Sequence, residues 1–140
     1  MHKKSFTLIE IMLVLFIIVT LSAISIPVLL RSKKDANAVA AQATLRAIST
    51  AAEMYSSVYN GTYPSSIEQL TDPNSLGGRR YLNENYCDGG ERFGYKFSCN
   101  FGNGYTVYAR PINCVTSGER SFTVTAGGEI TQDAQCQEAE

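Results

Sequence analysis

Residues 6–30 form an almost uninterrupted apolar run, in which 19 of 25 residues are apolar and Glu10 is the only charge. As a helix this run measures roughly 37 Å at 1.5 Å per residue. That exceeds the hydrocarbon core of a bilayer, about 30 Å. A membrane anchor or an export signal is therefore the first expectation. The remainder of the chain is polar, glycine-containing and tyrosine-rich, and a total of 140 residues suits about one domain.

Cysteine usage sets the compartment. Cys87, Cys99, Cys114 and Cys136 all lie in the C-terminal half, with intervening gaps of 11, 14 and 21 residues. A four-cysteine zinc site needs close pairs to make its two chelating knuckles, and there is no C-x-x-C pair here. An even number of cysteines beyond an export-like segment implies two disulfides and an oxidising compartment. The cysteines also orient the apolar run. Lys3 and Lys4 before it and Arg31, Lys33 and Lys34 after it nearly tie under the positive-inside rule. The cysteine-bearing domain must lie outside the cytoplasm, so the N-terminus lies inside.

Several function classes are excluded at this level. The only histidine is His2, which removes histidine-based acid–base, triad or zinc chemistry from the folded domain. Twelve Lys and Arg against 13 Asp and Glu leave a net charge of −1. A dedicated nucleic-acid binder is usually clearly basic, and the loop pair Arg79-Arg80 does not reverse that balance. Asp72, Asp88, Glu91, Glu129 and Asp133 are scattered without a compact oxygen-ligand pattern, so they read as solvated loop acids. No metal or cofactor is expected. No nucleophile–base set is visible either, so the chain does not read as an enzyme.

A cleaved secretory signal is the rival reading of the apolar run, with Ala23-Ile24-Ser25 as a small-residue cleavage site and Ile26 as the mature start. Three features oppose it: the length of the run, Pro27 just beyond the cut, and Glu10 inside it. A charge in a membrane segment costs about 2.5–3.5 kcal/mol on insertion scales, less near the edge, and it usually persists because something pairs with it. The plainer account of Glu10 is a favourable interaction with the helix macrodipole.

Lys3-Lys4-Ser5 followed by Phe6-Thr7-Leu8-Ile9-Glu10 resembles the processing site of type IV pilins and type II secretion pseudopilins. The likeness continues through Ile11-Met12-Leu13-Val14 to Ala23 and Ile26-Pro27, and covers roughly the first 60 residues well. The resemblance implies an α+β pilin fold, a long N-terminal α-helix with an antiparallel β-sheet head packed on its C-terminal half. It implies cleavage between Ser5 and Phe6 by a membrane-bound aspartyl prepilin peptidase, which then N-methylates Phe6. Glu10 corresponds to the glutamate that attracts the N-terminal amine of a neighbouring subunit during assembly. Opposite charges in a low dielectric offset each other's desolvation, which suits that role. The family usually has glycine before the cut, where this chain has Ser5. The resulting organisation is a leader at 1–5, a membrane and filament-core segment at 6–30, an amphipathic half-helix at 31–59 and a head at 60–140.

Beyond Pro27 the pattern becomes amphipathic. Ala36, Val39, Ala40, Ala43, Ala47, Ile48, Ala51, Met54, Tyr55 and Val58 recur at steps of three and four, predicting the packed face of a helix. The helix is expected to run from Phe6 to about Tyr59, ended by Gly61 and Pro64. Pro27 lacks an N–H and clashes with the preceding turn, so a kink or local loosening is expected there. The resemblance adds that filament helices can melt around this proline and let the fibre stretch.

In the head, Ser65 and Glu68 have capping-box spacing and predict a helix of one or two turns. Strands are expected at 92–99, 105–110, 121–125 and 129–131, forming an antiparallel meander. In the first strand Phe93, Tyr95, Phe97 and Cys99 alternate onto one face. A head this small has a limited core, so disulfides are useful. Four cysteines allow three connectivities. Sequence neighbours are the favoured pairs, Cys87 with Cys99 and Cys114 with Cys136. The second pair would enclose the last strands in a C-terminal loop, as in many pilins.

The expected function is that of a structural subunit in a type IV pilus-like filament. It would be a helical homo-oligomer that begins in membrane lipid of the inner membrane and is drawn by inner-membrane assembly machinery into an extracellular fibre. The alternatives are a type II secretion pseudopilin in a periplasmic pseudopilus and, from another class, a monomeric membrane-anchored or secreted binding domain.

Overall fold

The computed structural model describes residues 6–74, 79–133 and 135–139. The chain divides into two compact units, Met1–Lys33 and Lys34–Glu140. Helix α1 (Leu8–Val58) contributes residues to both and stays helical through Pro27. It ends where Asn60 and Gly61 turn left-handed, at φ 53° and 85°. There the Gly61 N–H reaches back to the Ser56 carbonyl at 2.8 Å, closing the helix C-terminus in the manner of a Schellman turn.

In the second unit, the Lys34–Val58 portion of α1 packs on a sheet of five antiparallel strands in sequential order. These are β1 (Glu91–Arg92), β2 (Tyr95–Phe101), β3 (Tyr105–Pro111), β4 (Ser121–Thr125) and β5 (Ile130–Asp133). The core joins Ala41, Leu45, Ile48, Ala52 and Tyr55 of the helix to Tyr95, Phe97, Val107, Ala109, Phe122 and Val124 of the sheet. Alternation along each strand places these side chains on one face, as a half-covered antiparallel sheet requires. A single-turn helix, α2 (Glu68–Thr71), closes one end with buried Leu70.

Three sequence expectations are corrected. First, the packed face of the helix is only partly the one predicted: Ile48, Ala51 and Tyr55 are buried as expected, but the face is shifted around them. Ala36, Val39, Ala43, Ala47, Met54 and Val58 are exposed, while Ala41, Thr44, Leu45, Ser49 and Ser56 are buried. Alanines occur on both the buried and the exposed sides of this helix, so they do not fix its phase, and small hydroxyl residues can be buried once bonded. Thr44 Oγ1 donates to the Ala40 carbonyl at 3.0 Å, and Ser49 Oγ shares a 2.8 Å bond with the Tyr105 hydroxyl.

Second, the predicted strand 92–99 is two strands. Phe93 adopts a left-handed φ of 55° and, with Gly94, turns the chain so that Arg92 pairs with Tyr95. Phe93 is thereby exposed at a hairpin tip instead of sharing the core face with Tyr95 and Phe97. Third, no Ser65–Glu68 capping box forms. The Ser65 N–H is taken by Gln69 Oε1 at 2.8 Å, and the helix starts later, behind Ile67, without a side-chain cap.

The rotated face is testable by urea unfolding of the full chain in detergent, disulfides intact. Ile48→Ala is expected to cost about 2–5 kcal/mol as a buried large-to-small change. Val39→Ala is expected to stay within about 0.5 kcal/mol, as a surface change does. Equal losses at the two positions would restore the predicted face.

Candidate functional site

In the first unit, every described side chain of residues 6–30 is exposed. The helix is long and apolar enough to cross a membrane, and the apolar window that meets this test has none of its residues buried. Its few hydroxyls bond within the helix: Thr20 to the Ile17 carbonyl, Ser22 to Ile18 and Ser25 to Leu21, at 2.8, 2.8 and 3.0 Å. Polar groups satisfied this way can enter an apolar surrounding at small cost.

Glu10 lies in the first turn, exposed, where the helix dipole favours a carboxylate. The residue that caps this terminus is Thr7, whose Oγ1 accepts from the Glu10 N–H at 3.3 Å. Thr7-Leu8-Ile9-Glu10 has the spacing of a capping box, a signal that was legible and that the expected assembly role of Glu10 overshadowed. Phe6 stands just ahead of the helix and is exposed. Ser5, with the rest of the expected leader at 1–5, lies outside the described residues.

In the second unit, Cys87 is bonded to Cys99 and Cys114 to Cys136, with Cα separations of 5.7 and 5.9 Å. The first bond ties the loop ahead of β1 to β2. The second ties the chain after β5 to the loop after β3, where that C-terminal segment is also held by hydrogen bonds. The Ala139 N–H reaches the Pro111 carbonyl at 3.0 Å, and Cys114 N–H reaches Glu138 Oε1 at 2.9 Å. Sequence reasoning singled out all four cysteines.

Two charged centres of the head were not singled out. Glu53 is half-buried on α1 and receives three elements at once. Its Oε1 accepts from the Tyr105 hydroxyl at 2.9 Å and from the Gly127 N–H at 2.7 Å, and its Oε2 accepts from the Tyr63 hydroxyl at 3.2 Å. Gly127 stands at φ 94° in the β4–β5 turn, where a side chain would be strained. Burial pushes the Tyr105 hydroxyl up to about 12; the Ser49 hydrogen bond opposes the rise and Glu53 adds to it. A groove of about 780 Å³ opens beside Glu53 between α1 and the β4–β5 turn, with Arg46, Met54 and Ile130 in its lining.

Arg92 organises the loop before β1. Its guanidinium donates to both oxygens of Asp88, at 2.8 and 3.1 Å, and to the Asn85 carbonyl at 3.0 Å, and it lies 5.4 Å from the Tyr86 ring centroid. Those bonds from Arg92, with the Gly90 N–H, hold the Asp88 carboxyl down to about 2. Among the described residues Asp72, Glu91, Glu129 and Asp133 form no metal-ligand cluster with Asp88. Among the described residues no three His, Cys, Asp or Glu side chains gather as metal ligands. Arg79 and Arg80 are exposed.

Compared with known proteins, the chain matches no family model, no curated protein and no solved structure.

Both centres make predictions. A carboxyl with a lowered folded value stabilises the fold above its ordinary value of 3.8, and that contribution disappears as pH falls toward about 2. Asp88→Asn is therefore expected to flatten the acid limb of the stability–pH curve between those values, measured by thermal unfolding. Tyr105 has the opposite sign. Its neutral form stabilises fully below pH 10 and the contribution is lost as pH rises toward about 12. Phenolate absorbance is expected to show a late-ionising tyrosine that Tyr105→Phe removes.

Proposed function

We propose that this chain is the structural subunit of a type IV pilus-like filament, assembled through its N-terminal helix. The observation that carries the reading is the apolar part of α1 up to residue 30, which has no covered side chain and a single carboxylate, Glu10, in the first turn. Such a surface has two low-energy surroundings, lipid and other copies of itself, and a filament subunit passes from one to the other. The residue pattern from Lys3 to Glu10 supports the same reading, through its resemblance to the pilin and pseudopilin processing site.

On this reading prepilin peptidase cuts between Ser5 and Phe6 and methylates the new amine. Glu10 then draws the Phe6 amine of a neighbour into register, since either charge alone would be costly in the apolar filament core. The head follows on the outside, stapled by its disulfides. The subunit resides in the inner membrane first and in the extracellular fibre afterwards, and it acts as a building element and not as an enzyme.

Mass and N-terminal sequence of the mature protein from native cells test the reading. The expected result is a chain beginning at N-methylated Phe6, found in the sheared surface fraction. A start at Ile26 would identify a secreted globular domain, and an intact Met1 a permanent anchor; either overturns it.

A further inference from the structure

Phe93 carries two costs at one position. Its φ of 55° is left-handed, where a bulky side chain is strained, and its ring is 56 % exposed at the tip of the β1–β2 hairpin. Asn-Gly is the usual occupant of such a two-residue turn and would make it without either cost. The ring borders a shallow depression of about 330 Å³ over Ala40, Ala43 and Ala47 of α1, with Tyr86 and Glu84 also in its lining. Glu84 is exposed and gives the depression a negative charge. The cation paired with it, the Arg92 guanidinium, is 3.6 Å away and makes two shorter bonds to Asp88.

The other flank of the same helix carries the complement. The groove of about 780 Å³ beside Glu53 has Met54 and Ile130 in its lining, and Met54 is 51 % exposed. Arg46 brings a positive charge to it, and among the described residues no ion pair or hydrogen bond engages that guanidinium. A flexible thioether adapts to an aromatic ring and makes a favourable sulfur–ring contact. One surface thus offers a ring and a carboxylate, the other a thioether and a guanidinium. The two stand at opposite edges of the sheet, since Phe93 follows β1 and Ile130 opens β5. Four strand spacings separate those edges by roughly 19 Å, so the surfaces do not meet within one chain. Their pairing is heterologous: a copy that offers Phe93 keeps its own groove free for the next, and such an interface repeats along a ring or fibre.

We propose that the Phe93 surface of one copy docks in the Met54 groove of a second copy of this chain, with Glu84 set against Arg46 of that copy. The choice of a second copy as occupant rests on the filament reading, while the contact itself lies in the head and uses neither Phe6 nor Glu10. Docking ends the exposure of the ring, and buried aromatic anchors surrounded by polar contacts carry much of the binding energy at protein interfaces.

The test is photo-cross-linking of the full chain in its native cells with p-benzoylphenylalanine in place of Phe93, read by mass spectrometry of the membrane and sheared surface fractions. The expected product joins position 93 of one copy to Met54 or Ile130 of another. Arg46→Glu is expected to lower its yield about fivefold or more, and adding Glu84→Arg to restore it, because the charge pair is then reversed. That rescue separates lost pairing from lost folding. The same probe in place of Met54 is expected to return the reciprocal product with Phe93, and Phe93→Asn to abolish it. Absence of a dimeric product, a product joining position 93 to position 93, capture of a different protein, or a yield unchanged by Arg46→Glu would overturn the proposal. Fibres without the product would overturn the contact and leave the filament reading standing. The product in membranes of cells that shed no fibres would support the contact and overturn that reading.

Discussion

The head depends on one contact, the face of α1 from Ala41 to Ser56 laid on the inner side of the five-stranded sheet. Leu45, Ile48, Ala52 and Tyr55 meet Tyr95, Phe97, Val107, Phe122 and Val124 there, and the core of the unit is largely this seam. A meander of this kind has one face to bury, and the helix provides the cover. The small residues of the helix, Ala41, Ala52 and Ser49, leave room for the large aromatic rings of the strands. Ser49 and Tyr105 also bond across the seam, so the polar tip of a buried tyrosine is satisfied where it lies.

Around that seam the head is locked at its margins. Glu53 gathers Tyr63 from the connector after α1, Tyr105 from β3 and Gly127 from the β4–β5 turn. A carboxylate with several donors is a stronger tie than a neutral hydrogen bond. Arg92 does the same for the loop before β1, and the two disulfides close the parts of the chain that carry little regular structure. A small domain with a thin core needs such restraints, because apolar burial alone leaves little margin over chain entropy.

The elements with a strong repeat were legible in the sequence, and those decided by geometry were not. The long helix, β3, β4 and the meander order follow from periodicity and turn residues. Phe93 is the clearest failure: its alternation with Tyr95 and Phe97 is real, but the chain reverses at Phe93-Gly94. A bulky aromatic at a left-handed position carries no sequence warning. The helix phase was legible only in part, at Ile48, Ala51 and Tyr55, because most of the predicted face was alanine, which marks a helix without marking its buried side, and Leu45 was not counted in it. Nothing in the sequence marks Glu53, since its three donors come from distant segments.

Thr7 bears on how Glu10 is to be understood. A carboxylate in the first turn is explained by the helix dipole alone if nothing else stabilises that terminus. Here the Thr7 side chain already receives the Glu10 N–H, so the terminus has a cap that survives loss of the carboxylate. The helix therefore needs Glu10 less than a bare terminus would. On the proposed filament reading, a carboxylate kept at the edge of the chain's most apolar stretch gains its value from a cation brought to it. Every other side chain of residues 8–18 is apolar, so on that reading the cation comes from outside the helix.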